Sequence, residues 1–551
     1  MTTRSRPRPG LALVVVPTGL LVLAALLRLP NLATRGTWDA DQGHDMLMLR
    51  ALVRDGVIPL LGPPTSIGDV HHGAVYYYLL SPAAFLTGGD SPLAVVGLIA
   101  LAGIAAVLVT WWLARSIGGP VAGLVAGLAM AVSTSAVDES TFIWNPNLIA
   151  LSSAIALAGA WRAWTTRDPR WWLLAGIGLA ITMQCHVLGV TMLPIVGALL
   201  VADARSRPSG PERRRVVRFG LGGLAIVALS FLPLAVHELT TDFSEVSAAL
   251  DYIRSGGDPA AFGPLARFLV IGGRVMSWPL TGLFTSAALA GLIAASVVSV
   301  IVIALARLGS LRERQAARWL GLGLLWTGFS LTFISPSLAT VIPGLPNDHY
   351  HAFADPMVFT LVGLGAGALW RVRPRRSGPS GAAKAAVAPD VPANGRTVPV
   401  GPAVVIAAMA VLIAFNLVNQ PPAVHPDGGF PAADVTGARI LAAAGSGAGA
   451  PITLRSIPDF KSIEAYAYPL VRAGASVRAD TGSGPVASSD GALVVICDSL
   501  FEEAIGAPCG GPAEATVAPP ERFGEPVDRF LAAPGRTISV YRGALASASS
   551  P

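Results

Sequence analysis

Residues 92–114 read PLAVVGLIALAGIAAVLVTWWLA and contain no charged side chain. As a helix, a run of this length crosses a hydrocarbon core about 30 Å thick. Comparable apolar runs recur through the first three quarters of the 551-residue chain, which is 53% hydrophobic and 13% charged. Soluble globular chains carry about 25% charged residues. We therefore predict a polytopic α-helical membrane protein.

The apolar runs predict eleven membrane-spanning helices, at residues 11–29, 92–114, 119–137, 146–164, 171–185, 187–203, 217–237, 280–306, 319–341, 353–371 and 401–419. The fifth and sixth form one continuous apolar run that is too long for a single crossing. Gln184, Cys185, His186 and Gly189 mark the predicted hairpin between them.

The loop charges orient the chain in the membrane, because arginine near span ends is retained on the cytoplasmic side. With eleven spans, the arginine-rich segments fall on one face, at residues 4–8, 115, 162–170, 205–215, 307–318 and 371–376. This pattern predicts a multi-pass plasma-membrane protein of bacterial type, with a cytoplasmic N-terminus and an external C-terminus. The +6 net charge is spread over short juxtamembrane loops, which favours contact with anionic membrane lipid and no nucleic-acid partner.

Composition divides the chain into a transmembrane domain, residues 1–419, and an extracytoplasmic C-terminal domain, residues 420–551. The first contains an external loop at residues 30–91 and a Pro-, Gly-, Ala- and Arg-rich stretch at 372–400, predicted to be a disordered cytoplasmic linker. In the second, residues 452–457, 492–497 and 537–541 have strand patterns, and residues 462–473 have a helix pattern. We expect a small α/β domain there.

The predicted external domain contains two of the three cysteines. Cys497 and Cys509 bracket a short loop, and an oxidising exterior makes them the predicted disulfide pair. A zinc site is not predicted, because no second Cys or His pair with ligand spacing lies nearby.

The first external loop concentrates the unusual polar residues. It begins with the acidic cluster WDADQGHD at residues 38–45 and continues to HHGAVYYY at residues 71–78. Carboxylates at the mouth of a membrane protein usually face water, a partner or a substrate. Alternatively, Asp39 or Asp41 could cap an amphipathic helix over residues 43–53. Asp45 lies on the other side of that helix and is expected to be solvated.

These motifs resemble the polyprenyl-phosphate-sugar-dependent glycosyltransferases of the membrane C-type fold, family 39 and its relatives, which include protein mannosyltransferases and lipid A aminoarabinose transferases. The matching elements are Asp41-Gln42, the run from His72 to Leu80, Trp144-Asn145-Pro146-Asn147, and Gln184-Cys185-His186. The resemblance covers residues 11–370, in motif order and topology more than in residue identity.

The resemblance implies that Asp41 is the catalytic base, since it occupies the position of the family's catalytic aspartate; Asp39 is the alternative. Gln42 stands where the family usually has glutamate, and Asn145 stands where several relatives have aspartate before proline. No cofactor is expected with certainty, and a divalent metal remains an open alternative.

Candidate substrate-binding residues follow from the same resemblance and from their external placement: Gln42, His71, His72, Tyr77, Asp138, Glu139, Asn145, His186, Arg274, His349, Tyr350 and His351. The histidines and Arg274 could bind the departing phosphate, although a lone histidine often has only a packing role. The tyrosines could stack on a sugar, but interface anchoring is the favoured role. Asp138 and Glu139 could bind acceptor hydroxyls or be solvated loop charges.

The function implied is transfer of a monosaccharide from a polyprenyl-phosphate donor to an envelope glycan, lipid or protein acceptor on the external face. A flippase for a lipid-linked saccharide is the first alternative, since it would share an apolar groove but would not need Asp41 as a base. A polysaccharide polymerase or ligase is the second, with its site in the loop at residues 238–279. The predicted spans contain very few charged residues, which argues against an ion-coupled pump.

Overall fold

The computed structural model describes residues 9–65, 70–255, 261–282, 288–340, 348–372, 400–445, 451–459, 463–482, 484–486 and 491–543, with side chains from residue 13 onward. The predicted linker at 372–400 lies outside these residues except for its two end positions.

Helices form almost all of the first 420 residues. In chain order they are α1 Pro9–Arg28, α2 Leu32–Arg35, α3 Ala40–Arg50, α4 Val75–Thr87, α5 Pro92–Gly118, α6 Pro120–Val132, α7 Thr134–Asp138, α8 Ile149–Thr166, α9 Trp171–Cys185, α10 Met192–Ser206, α11 Pro211–Ser230, α12 Leu232–Thr240, α13 Ser244–Arg254, α14 Pro264–Thr281, α15 Ala288–Leu308, α16 Leu311–Ile334, α17 Asp355–Trp370 and α18 Val400–Val418. Two short antiparallel strands, β1 Leu61–Pro64 and β2 His71–Gly73, lie in the first loop.

Among the described residues, six helical segments are long and apolar enough to cross a membrane: Pro92–Gly118, Asn145–Thr166, Val187–Ser206, Ala288–Leu308, Asp348–Trp370 and Val400–Val418. A seventh is the pair α11 and α12, which is bent by 42°. Shorter apolar helices lie at Leu13–Arg28, Pro120–Val132 and Trp171–Cys185. The protein is therefore a mostly helical membrane protein, as the composition predicted.

The ends of the helices follow local sequence signals. Ser91 caps α5 by accepting a hydrogen bond from the backbone N–H of Ala94, and a proline begins the first turn. At its other end, Gly119 has φ +88°, a left-handed conformation that glycine adopts without strain. The result is a short connection that folds α6 back along α5.

The long apolar run at residues 171–203 is broken where the polar residues predicted a hairpin. Helix α9 ends at Cys185, His186 is extended with φ −155° and ψ 132°, and a 3₁₀ turn at Val187–Thr191 precedes α10. At this break, backbone groups of Cys185 and Val187 form hydrogen bonds with side chains of neighbouring loops.

Beyond residue 420, the chain forms a five-stranded sheet: β3 Pro451–Ile457, β4 Ser476–Asp480, β5 Ala492–Asp498, β6 Asp528–Ala533 and β7 Arg536–Tyr541, in the order β4-β3-β5-β7-β6. Strand β3 is parallel to β4 and β5, whereas β7 is antiparallel to β5 and β6. The helices here are α19 Gly429–Ala444, α20 Ile463–Arg472, α21 Glu502–Ile505, α22 Pro512–Val517 and α23 Pro520–Phe523. The three predicted strands and the predicted helix are all present.

Both faces of this sheet are covered. Every residue of β5 is buried, as expected for a strand packed on two sides. Val494 and Ile496 face the apolar core that continues into the helical part of the protein, whereas Leu493 and Val495 face a smaller second core. A disulfide joins Cys497 to Cys509, with 5.6 Å between the two Cα atoms.

Candidate active site

Helix α3 begins with the acidic cluster and presents Asp41 in its first turn. Asp39 is the N-cap: one of its carboxylate oxygens accepts a hydrogen bond from the Ala40 N–H at 2.8 Å. Gln42 completes the capping box by accepting a hydrogen bond from the Asp39 N–H at 2.8 Å. The capping role thus belongs to Asp39, while the side chain of Asp41 is exposed.

Gln42 connects the first loop to a second loop, which contains Ile143 and Asn145. Its amide oxygen completes the cap, and its amide nitrogen donates to the Ile143 carbonyl at 2.8 Å, so the side chain is only 3% exposed. Asn145, in the same second loop, donates to the Cys185 carbonyl at 2.5 Å. The two predicted substrate contacts therefore also hold the second loop between α3 and the hairpin.

The expectation that Asp45 is solvated was wrong. Asp45 is 1% exposed and accepts hydrogen bonds from the hydroxyls of Tyr76 at 2.6 Å and Tyr77 at 2.9 Å. Burial raises the pKa of Asp45 to about 8, against the opposing effect of the two tyrosine hydrogen bonds. The reason is tertiary, because α4 packs across the face of α3 that carries Asp45.

The same contact corrects the favoured role of the tyrosines. Tyr76 and Tyr77 are fully buried, and their hydroxyls bind Asp45 instead of an aqueous interface. Tyr78 is half-buried and donates to the Pro59 carbonyl at 2.5 Å. The tyrosine run therefore joins α4 to the rest of the first loop.

His71 joins the first loop to helix α13 through Glu245. Its backbone N–H donates to one oxygen of Glu245 at 2.7 Å, and its ring Nδ1 lies 2.8 Å from the other oxygen. Glu245 lies in the first turn of α13, within the loop at residues 238–279. This contact was missed because the two residues are 174 positions apart.

Five aromatic side chains form a row in which neighbouring rings are tilted or edge-to-face. The ring of His72 lies 4.7 Å from His186, which lies 4.8 Å from Tyr350; Tyr350 lies 4.2 Å from His349, and His349 lies 3.8 Å from Trp144. Residues from the first loop, the second loop, the hairpin and the segment before α17 therefore meet.

His72 is nearly enclosed at one end of this row. Its Nδ1 accepts a hydrogen bond from the Val187 N–H at 3.3 Å, which leaves Nε2 to carry the ring proton in the neutral form. Burial, and secondarily the neighbouring His71, lowers the pKa of His72 to about 3. His72 is therefore a neutral hydrogen-bonding group at pH 7.

Arg274 is paired inside the protein. Its guanidinium binds Asp348 through two contacts, Nε to Oδ1 at 2.8 Å and Nη2 to Oδ2 at 2.6 Å. His351 lies 3.2 Å from the same carboxylate through Nε2, and all three side chains are buried. Asp348, which sequence reasoning missed, neutralises Arg274 and anchors the segment that carries His349 and Tyr350.

Glu139 is not a solvated loop charge. It is buried, and its carboxylate accepts a hydrogen bond from the Trp278 indole N–H at 3.0 Å. Burial raises the pKa of Glu139. Asp138 is half-buried, and burial raises its pKa to about 6 against the opposing effect of His425 and Arg35.

Within the described part of the chain, no group of three or more His, Cys, Asp and Glu side chains is arranged to hold a metal ion. Around Asp41, the Asp39 carboxylate binds Arg536, and the Gln42 amide is engaged at both ends. These residues therefore do not fit a metal site.

Part of the chain matches a known protein family. Residues 71–234 match the family described as dolichyl-phosphate-mannose-protein mannosyltransferase. The matched stretch includes His72, Asn145 and His186 but begins after Asp41. No curated protein matches the chain.

Solved structures share the fold over most of the chain. ArnT from Cupriavidus metallidurans in the apo state is 12% identical, with a TM-score of 0.56 over 96% of this chain and 97% of that one. ArnT bound to undecaprenyl phosphate gives 12% identity and a TM-score of 0.57, over 98% and 99% of the two chains.

The apo oligosaccharyltransferase of Archaeoglobus fulgidus is 13% identical, with a TM-score of 0.50 over 93% of this chain and 72% of that one. At such identities the likeness is one of fold. The chain thus resembles the membrane C-type glycosyltransferases, with an ArnT-like fold and a match over residues 71–234 to the protein mannosyltransferase family.

Proposed function

We propose that this protein is a glycosyltransferase that moves a monosaccharide from a polyprenyl-phosphate donor to a cell-envelope acceptor on the external face of the membrane. The observation that carries the proposal is the placement of Asp41. Its carboxylate is exposed in the first turn of a capped helix, whereas Asp39 caps that helix and Asp45 is buried. Asp41 is therefore the acidic group of this cluster best placed to meet a substrate.

The reaction requires one proton transfer and one bond exchange. An acceptor hydroxyl attacks the anomeric carbon of the sugar, a new glycosidic bond forms, and the bond from that carbon to the phosphate oxygen breaks. Asp41 takes the hydroxyl proton as general base, and polyprenyl phosphate leaves with the bonding electrons. The activated sugar is supplied on its lipid, so no nucleotide-binding loop is needed.

The leaving phosphate needs hydrogen-bond donors where its negative charge develops. His72 is the first candidate, since its Nε2 carries the proton when Nδ1 accepts from Val187. The row of rings continues from His72 through His186 to Tyr350 and His349. Arg274 would contribute through Asp348 and His351, by holding the segment in which His349 and Tyr350 lie.

The likeness to ArnT supports a lipid-linked donor, because one ArnT structure contains undecaprenyl phosphate. The proposal covers a monosaccharide as the transferred group and a glycan, lipid or protein of the envelope as the acceptor. The hydrophobic tail of such a donor explains why the transferase is embedded in a membrane.

We also propose that the chain crosses the membrane eleven times. Each predicted span overlaps a helix, although the spans predicted at 280–306 and 319–341 are shifted along the chain from α15 and α16. This count puts the N-terminus in the cytoplasm, residues 372–400 in a cytoplasmic linker, and the domain at residues 420–551 outside a bacterial-type plasma membrane. The first loop and the C-terminal sheet then share the external side, where they are in contact.

The test is sugar transfer by purified protein in liposomes, from a panel of radiolabelled polyprenyl-phosphate monosaccharides to envelope extract. We expect transfer by the wild type and a loss of about 100-fold or more in Asp41→Asn, since an amide cannot accept the hydroxyl proton. The matched control is Asp55→Asn, which makes the same change at an exposed carboxylate of the same loop and should leave transfer unchanged.

Wild-type rates in a folded Asp41→Asn protein would exclude Asp41 as the base. Movement of the labelled lipid across the bilayer without transfer from any donor would instead identify a flippase.

A further inference from the structure

The residues around Asp41 are in close contact with the C-terminal unit, defined here as residues 420–543. The Trp38 indole N–H donates to the Ala465 carbonyl at 2.8 Å, and its ring lies 4.7 Å from Phe430 and 5.7 Å from Tyr468. One turn into α3, a Cβ placed on Gly43 would lie 2.0 Å from the Glu464 carbonyl oxygen. Helices α3 and α20 therefore meet backbone to backbone.

An ion pair crosses the same contact at the N-terminus of α3. Nη2 of Arg536 donates to Oδ1 of Asp39 at 2.9 Å, and this is the oxygen that caps the Ala40 N–H. The same nitrogen donates to Asp498 at 3.2 Å. Arg536 is only 8% exposed, whereas the side chain of Asp39 is 40% exposed, so solvent reaches this ion pair from the Asp39 side.

The surrounding sheet fixes the position of the guanidinium. Asp498 and Arg536 are directly opposite each other on β5 and β7, and both strands lie in the middle of the sheet order. Because Asp498 of the sheet binds the guanidinium, the ion pair between Arg536 and Asp39 constrains the first turn of α3. That turn carries Asp41.

We propose that Arg536 is a positioning residue for the reaction, which orients Asp41 through the N-cap at Asp39. The C-terminal unit is then a required part of the active site and more than an appended domain. The proposal rests on the proposed function to the extent that Asp41 is the base, and it connects two residues that are 497 positions apart.

The first measurement does not depend on activity. Hydrogen exchange of the peptide over residues 36–50 is compared between wild type, Arg536→Gln and Arg439→Gln. Arg439 forms an ion pair with Asp528 inside the same unit and makes no contact with α3 among its described contacts. In Arg536→Gln, we expect exchange in the first turn of α3 to be at least fivefold faster than in wild type. In Arg439→Gln, we expect exchange at the wild-type rate. Equal exchange in all three proteins would overturn the proposal.

The second measurement separates positioning from binding. With the best radiolabelled donor of the panel, Arg536→Gln should lower kcat at least tenfold while the donor KM stays within twofold. Arg536→Lys, which keeps the charge, should recover part of the loss. Asp39→Asn retains a good N-cap but loses the ion pair, so it should reproduce the effect, and the double variant should be no slower than either single variant.

The outcomes distinguish this proposal from the proposed function. Faster exchange in Arg536→Gln, with no wild-type transfer from any donor, would support the contact between Arg536 and α3 and reject the transferase. Normal kcat in Arg536→Gln, with transfer abolished in Asp41→Asn, would retain the transferase and reject the positioning role. Additive losses in the Asp39 and Arg536 variants would also reject it.

Discussion

Three carboxylates of one helix illustrate how neighbouring residues of the same type take different roles. Asp39 binds Arg536, Asp41 is exposed, and Asp45 is buried against two tyrosines. They lie two and four positions apart, so their different environments come from different neighbours and not from local sequence. A protonated Asp45 can donate a hydrogen bond as well as accept one, which an ionised carboxylate cannot.

The raised pKa of Asp45 predicts a pH-dependent stability. The ordinary aspartate pKa is about 4, and in the folded protein it is about 8. Because the folded state holds the proton more tightly, the stabilisation is fully present below pH 4 and is lost as the pH rises through about 8. Each unit of pKa shift corresponds to about 1.4 kcal/mol.

The measurement is the Tm of detergent-solubilised protein between pH 5 and pH 9. Asp45→Asn carries no titrating group, so its Tm should fall less over this range, and the difference between the two proteins should move in favour of the variant as the pH rises. Asp55→Asn serves as control and should follow the wild-type curve. Parallel curves for wild type and Asp45→Asn would show that Asp45 does not titrate as its burial implies.

At the scale of elements, the contact between α3 and α20 is a second decisive feature. Gly43 permits it, because a larger residue would meet the backbone of Glu464 and Ala465. The contact also explains how the exposed face of α3 can carry a site while its other faces pack against α4 and α20.

Gly43→Ala tests the closeness of this packing. In an isolated helix, alanine would be favoured over glycine by about 1 kcal/mol. Here the added methyl group must displace backbone atoms, so we expect a lower Tm and faster proteolysis in the C-terminal unit. The control is Gly97→Ala in α5, where no atom lies within 4 Å of the added carbon and stability should be equal or slightly higher. A higher Tm for Gly43→Ala would mean that α3 and α20 are further apart.

At the scale of the whole molecule, the membrane topology decides whether the site and the C-terminal unit can cooperate. Single-cysteine labelling tests it with a membrane-impermeant maleimide. Val527, in the C-terminal unit, and Leu308, at the end of α15, are both exposed. We expect Val527→Cys to react in intact cells and Leu308→Cys to react only after permeabilisation.

The native cysteines should give little background, because Cys185 is buried and Cys497 is bonded to Cys509. Labelling of both positions from the same side of the membrane would contradict the eleven-span topology. Unmodified protein provides the blank for each condition.

The sequence alone determined the class of the protein and most of its elements. Runs of apolar residues predict helices because a helix satisfies its own backbone hydrogen bonds in lipid, and the break at residues 184–189 followed from polar residues inside such a run. The strands at residues 452–457, 492–497 and 537–541 were also predicted, because short runs rich in β-branched residues and bounded by turn-forming residues are typical of strands. These signals are local.

Only the tertiary structure decided which polar residues meet. The sequence placed Asp45 in solvent because nothing nearby shows that α4 folds across it, and it could not pair Asp39 with an arginine near the other end of the chain. Likewise, the sequence identifies Arg274 as a cation, but its neutralisation by Asp348 depends on how α14 packs against the segment before α17. Hydrophobic periodicity specifies which face of a helix is buried, whereas the partner of a buried charge depends on how distant segments pack together.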